Sequence, residues 1–297
     1  MSDRILAATA ADGSFSIAAG ITTALVREIQ ARHRLSPTAS AALGRLVTGA
    51  TLLATGLKGH ERLSIQITGD GPLGRLVADA QPAGPSTIGA RAYAQRPQSD
   101  LPLSEAGKFD VGAAVGRGVL QVTRSFEIGR PYSGIVPLQS GEIGEDLATY
   151  LLHSEQIPSV VALGVLASPR GIVAAGGIVA QVLPSAEART IALLEERARA
   201  MRPITSQIAN GASVEELLGE LSGERNLRVN REFAVRFRCT CSRERVEHAL
   251  LGLGRDELRK IAADQPLTEA TCEYCSERYE LRRDEVLGLV ERLEASR

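Results

Sequence analysis

Cysteine is scarce in this chain, with four in 297 residues. Tryptophan is absent, methionine occurs twice, and aromatic residues make up 3 % of the sequence. So few aromatic faces leave little on which bases could stack. An excess of either charge is lacking too: 34 basic against 35 acidic residues give a formal net charge of −1. No global field therefore gathers nucleic acid or an anionic membrane, and the segment from Arg225 onward is balanced as well. No apolar run approaches the roughly 18 residues of a membrane span. The N-terminal stretch MSDRILAATAADGSFS contains Asp3 and Arg4 and no long apolar core, which argues against a secretory signal peptide. Together these absences lead us to expect a cytoplasmic protein, in a compartment where thiols stay reduced and structural disulfides are rare.

What is present reads as a globular protein of mixed α and β structure. Hydrophobic residues are 44 % and charged residues 23 %, and the length suits two domains better than one. RILAATAADGSFSIAAGIT predicts two strands joined at ADGS, and RLSIQITGDGPLGRLVADA predicts a hairpin. TTALVREIQARHR and SPTASAALGRLVTGATLLATGLK have helical spacing, with Ser36 and Pro37 at the start of the second. VLQVTRSF and YSGIVPLQ read as strands, SGEIGEDLATYLLHSEQ as a helix, and SVVALGVLAS and GIVAAGGIVAQVLP as buried strands. After Pro184 the character changes. SAEARTIALLEERARAM is helical up to Pro203, and SVEELLGEL opens with a capping box from Ser213 to Glu216 but is short and flanked by Gly211 and Gly223. The expected fold class is therefore α+β. It comprises a mixed α/β core over 1–183, a helical linker with conditional structure over 184–226, and a small four-cysteine domain over 227–297. That last domain begins with the half-buried strand RVNREFAVRFRC and contains three short helices.

The four cysteines lie in RCTCSRERVE and TCEYCSERYEL. Cys239 and Cys241 form C-x-C, thirty residues follow, and Cys272 and Cys275 form C-x-x-C. Two short knuckles bringing four thiolates together match the tetrahedral demand of zinc. A closed, inert staple is one reading of such a site. A switch is the other, because residues i and i+2 can share a disulfide only in a small strained ring, and strained disulfides are labile. A domain that folds on its metal also loses on the order of 10 kcal/mol when the metal leaves.

With these cysteines in the order GDGPLG (69–74), YSGIVPLQSGEIGEDLATYLLHSEQIPS (132–159), C-x-C and C-x-x-C, the whole chain resembles the heat shock protein 33 family of redox-regulated bacterial chaperones. The resemblance implies an ATP-independent holdase rather than an enzyme. It implies one zinc ion per reduced chain, held by Cys239, Cys241, Cys272 and Cys275. Oxidation would join Cys239 to Cys241 and Cys272 to Cys275, release zinc and unfold the small domain and linker. Unfolding or oxidatively damaged proteins would then be bound, and the active form is expected to be a homodimer, with no nucleic acid or membrane partner. Ile191, Leu193, Leu194, Leu217, Leu218 and Leu221, apolar residues within the weakly held linker, are the expected client contacts.

Other motifs carry less. GDGPLG fits G-x-G-x-x-G, but Pro72 lies inside it and a strand pattern follows, so a tight hairpin turn is expected rather than a nucleotide site. Glu142, Glu145 and Asp146 stand at a helix start, where acids serve the helix dipole. His33, His60 and His153 are scattered, and His248 between the cysteine pairs leaves a three-cysteine, one-histidine site as an alternative. A zinc-ribbon nucleic-acid factor and a thiol oxidoreductase using Cys272 and Cys275 are the competing functions. Balanced charge speaks against the first, and the second cysteine pair beside the C-x-x-C speaks against the other.

Overall fold

A computed structural model describes residues 2–104, 107–168, 171–187, 189–223 and 226–295. The chain divides into two compact units, Met1–Arg238 and Cys239–Arg297.

The first unit begins with β1 (Arg4–Ala10), β2 (Phe15–Ile21), α1 (Thr23–His33) and α2 (Pro37–Leu53). Next come β3 (Arg62–Gly69), β4 (Arg75–Pro82), β5 (Thr87–Ala94), α3 (Val111–Val115), β6 (Gly118–Ser125), β7 (Tyr132–Pro137) and α4 (Gly144–His153). β8 (Ser159–Ser168), β9 (Gly171–Val182), α5 (Arg189–Ala200), α6 (Ile204–Ala209), α7 (Val214–Ser222) and β10 (Leu227–Phe237) complete it. Its ten strands form one sheet in the order β7-β6-β3-β4-β5-β10-β1-β2-β9-β8. Every neighbouring pair is antiparallel except β10 with β5.

α2 is buried nearly all round, with Pro37 and Arg45 its two residues that are not. Its Ala, Gly, Thr and Ser residues permit this, because small side chains let the helix settle against strands on several sides. At Gly49 an added Cβ would lie 2.6 Å from Leu147 Cδ1, so a larger residue there would have to displace the Leu147 side chain. Ser36 caps α2 by accepting from the Ala39 N–H, and Pro37 stands at the first turn, as expected. GDGPLG is the turn between β3 and β4: a Cβ on Gly69 would sit 1.9 Å from the Val115 carbonyl oxygen, and Gly74 has φ +65°. Asp146 at the start of α4 is fully buried, and its carboxylate accepts from the backbone N–H groups of Gln139 and Ile143 at 2.7 and 3.0 Å. It caps the helix start and also orders the loop before it, a role the sequence reading did not include.

The sheet carries apolar residues on both faces at its β1-β2-β9-β8 end. One face, with Ile5, Ala18 and Val179, joins the main core against α1, α2 and α4. The other, with Leu6, Phe15, Ile17 and Ile178, forms a second core with α5, α6 and α7. Each strand there thus reads as continuous apolar sequence, as a doubly covered strand must.

The linker helices therefore belong to the first unit. Leu194, Leu217, Leu218 and Leu221 are buried in the second core, and Ile191 packs beside them half-buried; Leu193 is half-buried too. The capping box of α7 forms as read, with the Ser213 hydroxyl accepting from Glu216 N–H and the Glu216 carboxylate accepting from Ser213 N–H.

One boundary differs from expectation. The sequence put 227–237 with the cysteine domain, whereas β10 lies inside the large sheet and the units divide after Arg238. Its charged side chains alternate with Phe233 and Val235, which are buried in the main core, so this strand is anchored by the first unit's apolar interior.

Candidate metal centre

The second unit holds α8 (Arg243–Leu251), α9 (Arg255–Asp264), β11 (Leu267–Thr271), β12 (Arg278–Arg282) and α10 (Arg283–Ala295). Its core is small: Leu258, Ala262, Leu281, Val286, Leu289 and Val290. A unit of this size with so little apolar interior needs a further staple to stay folded.

The cysteines are placed where a bound metal would supply one. All four Sγ atoms lie within 4.8 Å of one another, Cys275 is buried, and the other three are half-buried. Cys239 Sγ is 3.7 Å from Cys272 Sγ, and Cys241 Sγ is 3.3 Å from Cys275 Sγ. Four sulfurs about 2.3 Å from a tetrahedral ion stand about 3.8 Å apart, so the donor set fits zinc in size, number and softness. None of the four is in a disulfide.

Local structure explains how the sulfurs converge. β11 and β12 pair antiparallel from Leu267↔Arg282 to Thr271↔Arg278, and the connection between them is a tight knuckle carrying Cys272 and Cys275. Cys272 N–H donates to the Glu277 carbonyl, Ser276 N–H donates to the Cys272 carbonyl, and Ser276 adopts φ +61°. Cys239 and Cys241 come from the segment just before α8, whose Ser242 caps the helix by accepting from Arg245 N–H. Arg243 locks this segment to the second knuckle's side, donating to the Glu280 carbonyl on β12 and to the Glu285 carboxylate on α10.

Burial raises the thiols of Cys272 and Cys275, against opposing backbone N–H groups of Tyr274 and Cys275 at the first and of Glu277 at the second. A divalent cation among the sulfurs would act the other way, favouring the thiolates.

The structure thus brings together all four sequence-assigned cysteines. His248 adds nothing to the donor group, which consists of the cysteines alone among the described residues. A further residue escaped the sequence reading. Tyr279, on β12, donates its hydroxyl hydrogen to Cys241 Sγ at 3.1 Å. Its only sequence signal is its place four residues after Cys275.

Comparison with known proteins agrees with this architecture. The family model described as Hsp33 protein matches residues 3–282. The 33 kDa chaperonin of Desulforamulus reducens is 40 % identical over 295 residues, covering 99 % of each chain. That of Bacillus subtilis is 41 % identical over 289 residues, covering 97 % of this chain and 98 % of the relative. The crystal structure of the 33 kDa chaperonin (heat shock protein 33 homolog) from Thermotoga maritima superposes with a TM-score of 0.90 at 33 % identity, covering 99 % of this chain and all of that one. With the family model matched over nearly the whole chain and the relatives' sequences and fold covered almost from end to end, the chain belongs to the Hsp33 family.

Proposed function

We propose that this protein is a redox-regulated, ATP-independent holdase. The observation that carries the proposal is the four-cysteine cluster in a unit too small to fold well without it. In the reduced protein, Cys239, Cys241, Cys272 and Cys275 hold one zinc ion, which supplies the folding free energy that the small core lacks. Each disulfide forms when two thiolates give two electrons to one hydrogen peroxide, which takes two protons from solvent and leaves as two waters. Two such events, joining Cys239 to Cys241 and Cys272 to Cys275, leave no thiolate to hold the ion, and the second unit unfolds.

The linker helices are the second element. α6 and α7 have 6 and 9 residues, lengths that are marginal without tertiary packing. Release of α5, α6 and α7 uncovers Ile191, Leu194, Leu217, Leu218 and Leu221, together with the sheet face of Leu6, Phe15, Ile17 and Ile178 that they cover, and frees Leu193 on the same α5. Unfolding polypeptides bind such surfaces by apolar burial. The active form is a homodimer in the cytoplasm, acting on unfolded or oxidatively damaged proteins and on neither nucleic acid nor membrane, and it catalyses no reaction.

The test treats zinc-loaded protein with hydrogen peroxide at raised temperature without ATP, following zinc release and suppression of client aggregation together. Both are expected to rise in parallel. Zinc loss without any antiaggregation activity would overturn the proposal. Peptide mapping of the oxidised chain checks the pairing, since the cross pairs Cys239 with Cys272 and Cys241 with Cys275 also lie close, at 3.7 and 3.3 Å.

A further inference from the structure

We infer that Tyr279 is a positioning residue that restrains the reactivity of Cys241 in the metal cluster, and so sets how readily the switch responds to oxidant. The inference rests on the zinc–thiolate reading of the four cysteines and concerns which sulfur is guarded.

Three observations lead to it. First, the Tyr279 hydroxyl lies 3.1 Å from Cys241 Sγ and donates to it. A hydrogen bond to a thiolate withdraws charge from sulfur, which lowers its nucleophilicity while stabilising it as a ligand. Second, the donor is fixed by the fold. Tyr279 pairs opposite Ala270 in the β11–β12 ladder, next to the Thr271↔Arg278 pair that closes on the knuckle. Its ring is half-buried, so the hydroxyl is aimed by the strand and not by a mobile chain. Third, the donor at Cys241 is a side chain. Cys272 and Cys275 face backbone N–H groups of their own knuckle, which no side-chain substitution removes. Cys241 instead faces a phenol contributed by the opposite knuckle's strand, 38 residues away. The same contact links the C-x-C segment to the C-x-x-C hairpin, so loss of one partner's order loosens the other.

A nucleophilic sulfur must present a lone pair to the oxidant, and the one facing Tyr279 is already engaged. Removing the hydroxyl while keeping the ring frees that lone pair without creating a cavity. The variant Tyr279→Phe does this.

The experiment uses the full-length, zinc-loaded chain. Zinc stoichiometry is measured first in the parent and in Tyr279→Phe; failure of the parent to bind one zinc per chain would refute the cluster reading itself. With zinc bound in both, alkylation by iodoacetamide is followed at each cysteine by mass spectrometry, alongside zinc release to a chelating dye. The expected result is about a fivefold faster reaction at Cys241 in Tyr279→Phe, with Cys272 little changed, in keeping with loss of part of one charge-assisted hydrogen bond. Unchanged Cys241 reactivity, or an equal rise at all four cysteines, would overturn the inference, the latter because it marks a purely structural contact. Should Tyr279→Phe fail to hold zinc, a fluorotyrosine at 279, kept protonated in mildly acidic buffer, serves as the stronger donor. Slower Cys241 alkylation is then expected, and an unchanged rate would equally refute the inference.

Discussion

The guanidinium of Arg4, on β1, lies 2.6 Å from the carboxylate of Glu215 in the first turn of α7. The same guanidinium reaches Glu232 on β10 at 3.2 Å. One cation thus joins the last linker helix to two adjacent strands of the sheet. The two carboxylates are exposed and Arg4 is half-buried, so Arg4→Ala is expected to cost about 0.5 kcal/mol. The effect should be local: amide exchange in α7 rises while exchange in β3 and β4 is unchanged, and added salt reproduces it in the parent protein.

Acid should act on the same contact. The backbone N–H of Glu215 and, against the opposing effect of burial, Arg4 hold this carboxyl below its ordinary value of 4.5. A lowered folded-state pKa means that the stabilisation is complete above the ordinary value and is lost as pH falls through the folded one. Exchange measured from neutral pH downward should therefore show α7 losing protection only below the ordinary glutamate range. Protection that instead weakened on going from pH 5 toward neutrality would contradict this assignment.

Gly219 lies inside α7, exposed, with nothing within 4 Å of where a Cβ would be. Gly219→Ala should stabilise the helix by about 0.5–1 kcal/mol, since glycine costs that much in a helix interior. The expected phenotype is a protein that folds normally and binds zinc, yet needs a higher temperature or longer oxidation before it suppresses client aggregation.

Leu217 points the other way. It is fully buried in the second core, and Leu217→Ala should cost about 2–5 kcal/mol through lost burial and the cavity left behind. That cost falls on linker docking. The variant is expected to show antiaggregation activity while still reduced and zinc-loaded, with the main core unaffected by its α2 exchange pattern. An inactive reduced Leu217→Ala with an unprotected α7 would separate linker release from client binding.

Removing zinc with a chelator under reducing conditions should melt the second unit alone. Its six buried apolar residues cannot replace a contribution on the order of 10 kcal/mol. Exchange should become fast throughout β11, β12 and α8 to α10, while β3, β4 and β6 keep their protection. Cys275→Ser, at the most buried ligand, should do the same without chelator.

The cysteine centre was legible in the sequence because its information is local: two knuckles of fixed spacing in a chain with no other cysteine. The α7 capping box, the β3–β4 turn and the Ser36 cap were legible for the same reason. Long-range pairing was not. β10 lies parallel to β5, with Ala234 opposite Thr87, and nothing in either segment names the other. β5 itself, TIGARAYA, has four glycine or alanine residues and, in its central GARA, no aromatic or β-branched one, and gives little strand signal. β12, RYELR, is too short and charged to read as a strand, which hid the placement of Tyr279. The double covering of β1, β2 and β9 was visible only as unbroken apolar sequence. That the second cover is the linker had to come from the fold.

Both ends of the linker are pinned in the same sheet, Val182 at the end of β9 and Leu227 at the start of β10. A linker that lets go therefore becomes a tethered loop over residues 183–226 and never a dangling tail. Its docking face stays within reach at an effective concentration set by the loop, so rebinding is an intramolecular event whose entropy cost grows only slowly with loop length. A bound client competes against that local return. Return of the linker after release then requires no partner to find it.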